Sequence, residues 1–141
     1  MFKAIRLIMQ EMDKVNMHYN VEDMEDVNIL SAGYGIENGP TITIKIFSQD
    51  DDSEVAVRVY GILHNVAEER LPKIMKVINQ CNQKFRYFKF VMNDDNDVSV
   101  EYDFPVEASD YTLGQEVVEV LMRMMHVLDE CYPVLMRAIW S

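Results

Sequence analysis

The sequence has little of what marks a secreted, membrane-spanning or nucleic-acid-binding protein. It holds only two cysteines, Cys81 and Cys131, far apart and outside any CxxC spacing. That excludes a disulfide framework and points to buried thiols in a reducing, cytoplasmic setting. No apolar run approaches the about 18 residues of a membrane span. Near the start, Arg6, Gln10, Glu11 and Asp13 interrupt any stretch long enough for the apolar centre of a signal peptide. Cations are scarce as well: thirteen Lys and Arg against twenty-four Asp and Glu leave a formal charge of −11, with no basic stripe to offset it. Such a field repels a phosphate backbone, so neither nucleic acid nor a membrane is an expected partner. Gly33, Gly35 and Gly39 open no helix with GxGxxG and precede no GK[ST], so they are read as loop punctuation rather than a phosphate cradle.

What is present is a globular balance, 49% hydrophobic and 26% charged over 141 residues. That suffices for one core, and a single domain over residues 1–141 is expected. Ile5, Met9, Met12, Val15 and Tyr19 recur every three or four positions and predict an amphipathic first helix. A polar linker, Asn20 to Asp26, leads to a strand over Val27 to Tyr34. Ile42, Ile44 and Ile46 then alternate with Thr41, Thr43 and Lys45, and Val55, Val57 and Val59 alternate with Glu54 and Arg58, which predicts an antiparallel hairpin with one wet face. Its turn carries Asp50, Asp51 and Asp52.

The helical period returns with Leu71, Ile74, Met75, Ile78 and Phe85, with Pro72 suited to the first turn. Phe88, Phe90 and Met92, then Val98, Val100, Tyr102 and Phe104, predict a second hairpin around Asn93 to Asp97. Thr112 is placed to cap a closing helix with a polar stripe of Glu116, Glu119, Arg123, His126 and Glu130. Tyr132-Pro133 is expected to kink or divide that helix, with Leu135 to Trp140 folding back. The fold expectation is therefore α+β, an antiparallel sheet flanked by helices in the order α-β-β-β-α-β-β-α.

Candidate chemistry is thin. Asn93 to Asp97 offers oxygen ligands but lacks the spaced pattern of a calcium loop, and Asn and Asp are turn formers in their own right. His18, His64 and His126 fall in separate elements, short of the three converging ligands that zinc needs. Neither cysteine has a histidine near it in sequence to make a thiolate nucleophile. Glu101 and Asp103 alternate on a strand face, as acids on a wet face do without catalysis. No catalytic residue, cofactor or metal is assigned. Eleven methionines, with Met122, Met124 and Met125 together, supply either core filling or an adaptable contact surface. The closing helix is apolar on several sides and needs more cover than one sheet face, which argues for a subunit or peptide partner.

Four stretches, FSQDDDSEVAVRV over residues 47–59, KFRYFKF over 84–90, VSVEYDFP over 98–105 and LDECYPVLM over 128–136, resemble the YbjN family of bacterial proteins. The domain of that family is similar in arrangement to the class I type III secretion chaperones. The resemblance implies an α+β fold, a homodimer, and a regulatory or chaperone-like role with no defined reaction. It also implies a dimer contact over the second helix and the strand after it.

The leading expectation is thus a non-enzymatic, homodimeric module that binds a protein or peptide client. Its interface candidates are Leu71, Ile74, Met75, Ile78, Phe88, Phe90, Met122 and Met125. Two rivals stay open: a small enzyme assembled from distant residues such as His64, Asp103 and His126, and an acidic mimic that occupies a basic protein.

Overall fold

The structure is a computed structural model that describes residues 1–37, 39–49, 53–107 and 110–141. The Asp50 to Asp52 turn and Asn38 lie outside the described residues. The order is α1 (Lys3–Lys14), β1 (Asn20–Asp23), β2 (Val27–Gly35), β3 (Thr41–Gln49), β4 (Glu54–Leu63), α2 (Leu71–Lys84), β5 (Lys89–Met92), β6 (Val98–Pro105) and α3 (Leu113–Trp140). A 3-10 turn over Glu68–Arg70 leads into α2. The strands form one open sheet in the order β1-β2-β3-β4-β6-β5, antiparallel at every pairing.

The period-two pattern decides the layers. Leu30, Ile46 and Val57 are opposite one another across β2, β3 and β4, and all are sealed. Ala32, Ile44, Val59, Val100 and Phe90 form the next row. These residues share one core with Ile5, Ile8 and Met12 of α1, Ile74 and Ile78 of α2, and Leu121, Met124 and Leu128 of α3. All three helices therefore cover the same sheet face, and the opposite face, with Thr43, Lys45 and Arg58, meets water as antiparallel sheets permit. The α+β class, the sheet and the helix order expected from the sequence are all present.

Local chemistry explains where the structure departs from the periodicity. The first helix stops at Lys14, short of Tyr19, because Asn16 takes a positive φ of 59°. Its N–H donates to the Asp13 carbonyl and that of Met17 to the Met12 carbonyl, a Schellman closure with Asn in the usual Gly place. The polar linker after it contains a short extra edge strand, β1, paired with β2. Gly33 and Gly35 belong to the end of β2 rather than to the loop. Gly61, at φ 67°, sits where the pairing of β4 with β6 shifts register, and a Cβ there would lie 2.3 Å from the His64 ring.

Two expectations about α3 are corrected. It runs unbroken through Pro133 to Trp140, so nothing folds back. Proline removes only the hydrogen bond to the Asp129 carbonyl, while burial of Cys131, Leu135 and Ala138 holds both halves against the core. Thr112 stands at the N-cap position but makes no capping bond; its hydroxyl lies 2.7 Å from an Asp110 carboxylate oxygen and 3.1 Å from one of Glu116. Gly114 allows close packing of α3 on α1, since a Cβ there would meet the Leu7 carbonyl oxygen at 2.4 Å.

A groove at the open edge of the sheet

β6 keeps its inward alternation along its whole length, but its cover does not. Val98 and Val100 are sealed, whereas Tyr102 and Phe104, the next two inward positions, are only half-buried. Strand β5 pairs with β6 from Val98 to Glu101 and stops there. From Tyr102 to Pro105 no strand among the described residues lies on the outer side of β6. The chain between α2 and β5, Phe85 to Phe88, and the α3 stretch from Glu116 to Val127 rise on either side. The result is a groove of about 900 Å³, within the range of about 300–1,000 Å³ usual for ligand sites.

Its floor is aromatic. The Tyr102 ring lies 6.0 Å from Tyr87, 5.1 Å from Phe88 and 5.5 Å from Phe104, centre to centre, in edge-on or tilted pairs. Such geometries suit the ring quadrupoles. Burial, with Tyr87 nearby, pushes the Tyr102 hydroxyl above its ordinary pKa. Tyr87 is itself 68% exposed and has a φ of 74°, an uncommon conformation for a bulky aromatic residue. Val120 and Met122 add aliphatic surface from α3.

The rim is charged. Lys84, Arg86 and Arg123 face Glu116 and Glu119 around the groove, with His126 beside them. Arg123 pairs with Glu119 at 2.7 Å one helical turn away, both well exposed. Glu130 accepts from Lys84 at 2.7 Å and lies 3.0 Å from His126 Nε2. The Lys84 bond holds the Glu130 carboxyl below the ordinary carboxylate range and raises the ammonium in turn. Arg86 makes no ion pair among the described residues.

The eight interface candidates divide. Ile74, Ile78 and Phe90 are sealed in the core and expose almost no surface. Phe88 is buried too, but its ring edges the groove. Met75 and Met122 are exposed, Leu71 and Met125 half-buried. Only Phe88 and Met122 of the eight meet at the groove. Tyr102, Phe104, Arg86 and Arg123 were not singled out as site residues. The visible signal for them was an aromatic alternation that ended next to Pro105, beside the run Phe85-Arg86-Tyr87-Phe88.

The residues of the enzyme alternative fall in three places. His126 is on the groove rim, while His64 lies 4.0 Å from Asp97 beside a smaller hollow of about 400 Å³. Asp103 is clamped by Arg58 on the outer sheet face. The Asn93 to Asp97 segment is a turn, as read: Asn93 Oδ1 accepts from the N–H groups of Asp95 and Asp97, and Asn96 has a φ of 62°. Among the described residues no group of three or more His, Cys, Asp or Glu is placed to hold a metal ion. Among the described residues no helix is long and apolar enough to cross a membrane.

Residues 42–135 match the YbjN family, whose description is "Putative bacterial sensory transduction regulator". The chain belongs to the YbjN family. The match runs from β3 into α3 and so takes in every element of the groove, leaving α1, β1 and β2 before it. No curated protein matches the chain.

Proposed function

We propose that this YbjN chain is a non-catalytic regulatory module, chaperone-like in action, that binds a segment of a protein client in the groove beside β6. The observation that carries the reading is the half-exposed inward pair Tyr102 and Phe104 on an uncovered strand edge. Aromatic side chains left wet inside a groove lower their free energy when a partner covers them. The groove lining offers rings, aliphatic surface and charges, and among the described residues no Ser, Thr or Cys lines it. The regulatory description of the family agrees with this reading.

Self-association belongs to the same proposal. Its support is the exposed methionines Met75 and Met122, adaptable apolar contacts on α2 and α3. Light scattering behind size exclusion is expected to give twice the 16.5 kDa chain mass. A monomer would remove the dimer and leave the groove reading intact.

Position-resolved photo-crosslinking in the native cell tests the groove. A photoreactive residue at Tyr87 or Met122 is expected to give one discrete adduct that the same residue at Thr43, on the outer sheet face, does not. Equal adducts at all three positions, or none, would contradict the proposal.

A further inference from the structure

The chemistry of the groove narrows its occupant, and this step rests on the groove being the binding surface. We infer that it takes a short extended peptide segment in which aromatic or aliphatic side chains stand next to acidic ones.

Length and edge favour a peptide. At about 1.5 Å per residue, the α3 wall from Glu116 to Val127 runs roughly 16 Å, enough for about five residues in extended form at about 3.3 Å each. Along the floor, β6 offers an unaccompanied edge from Tyr102 to Pro105, where main-chain N–H and C=O groups can pair with an added strand. The inward pockets around Tyr102, Phe104 and Val120 then receive alternate side chains of that strand.

Charge favours an acidic one. The chain carries −11 overall, yet the groove lining holds three cations against two carboxylates, with Lys84 already bonded to Glu130 beside it. Arg86 is exposed and unpaired among the described residues. Among the described residues Arg123 pairs with an exposed neighbour on its own helix, a pairing worth little in water and readily exchanged for a ligand carboxylate. Guanidinium groups bind carboxylates in a fixed fork, and their planes also stack on aromatic faces. A segment with an acid beside an aromatic residue therefore satisfies rim and floor together. Tyr87, next to Arg86 and held at positive φ with its ring edge-on to Tyr102, is placed at the junction of the two.

The test uses fluorescence anisotropy on the full chain with three labelled heptapeptides of one aromatic-aliphatic frame, bearing two Glu, two Gln or two Lys. The Glu peptide is expected to bind about tenfold tighter than the Gln peptide, as charge-assisted bonds to Arg outweigh neutral ones, with the gap narrowing as salt rises. Arg86→Gln, an exposed change that leaves the fold alone, is expected to remove most of that gap by weakening the Glu peptide several-fold more than the Gln peptide. Equal binding of the Glu and Gln peptides, or preference for the Lys peptide, would overturn the charge inference while the groove reading stands. Binding of none of the three would overturn both. Binding of dodecanoate in place of every peptide would make the occupant a lipid acid, and concentration-dependent dimers that exclude the peptides would make it a second copy; either would overturn the inference.

Discussion

Arg58 donates from its two terminal nitrogens to the two carboxylate oxygens of Asp103, at 2.5 and 3.0 Å, joining β4 to β6 diagonally across the outer face of the sheet. Its Nε also lies 3.7 Å from Glu101. The alternating acids Glu101 and Asp103 thus form the two sides of a cation clamp, which accounts for them without proton transfer.

Because the clamp is bidentate but partly wet, Arg58→Met should cost about 1 kcal/mol of stability. Urea unfolding checks this. The midpoint is expected to fall with the slope unchanged, and peptide binding to stay as in the wild type, since Arg58 is on the opposite face from the groove.

Gly114→Ala reverses a general rule. In a helix interior the change usually stabilises by up to about 1 kcal/mol, but here the new methyl would press on the Leu7 carbonyl. Overpacking of that kind costs about 1–3 kcal/mol. Thermal unfolding is expected to show a lower midpoint for Gly114→Ala and little loss for Gly33→Ala, where nothing stands within 4 Å.

Tyr34 ties the end of β2 to α3, donating from its hydroxyl to Asp129 Oδ2 at 2.6 Å. The other carboxylate oxygen accepts from the Glu37 N–H. The bond to Asp129 pushes the Tyr34 pKa up to about 12 from 10.0. A folded-state pKa raised in this way gives stability that is whole below pH 10 and lost as pH climbs from about 10 to 12. Tyr34→Phe should therefore cost about 1 kcal/mol at neutral pH and flatten the loss of stability in that alkaline window. Denaturant titrations at pH 8 and pH 11 compare the two proteins.

Cys81 of α2 and Cys131 of α3, fifty positions apart, lie within hydrogen-bonding reach of each other in the core. The bond lowers the Cys81 pKa, while that bond and burial push Cys131 up. Iodoacetamide should alkylate either thiol more than about tenfold more slowly in the folded chain than in urea, since access as well as ionisation limits a buried thiol. Mass spectrometry after a timed quench reads the difference.

Much of this architecture was legible because burial imposes a period. Ile42, Ile44 and Ile46 on β3 and Val55, Val57 and Val59 on β4 point inward as their alternation requires. What escaped was set by single contacts with no period at all. Asn16 ends α1 by one left-handed residue, β1 is a strand of four mostly polar residues, and α3 crosses Pro133 because its later half is buried. The groove escaped for a related reason. Tyr102 and Phe104 carry the same inward pattern as Val98 and Val100, and only the early end of β5 leaves them wet. The family resemblance, which places a contact over the second helix and the strand after it, marked Ile74, Ile78 and Phe90 as contact residues, although an apolar side chain serves a core and an interface alike.

The most direct measurement is a heteronuclear NMR titration of the isotope-labelled chain with the Glu-bearing peptide. Shift changes are expected to concentrate on Arg86, Tyr87, Tyr102, Phe104 and Arg123, leaving Thr43, Lys45 and Arg58 unmoved. Changes centred on the outer sheet face, or none at saturating peptide, would contradict the assignment of the groove as the working surface of this protein.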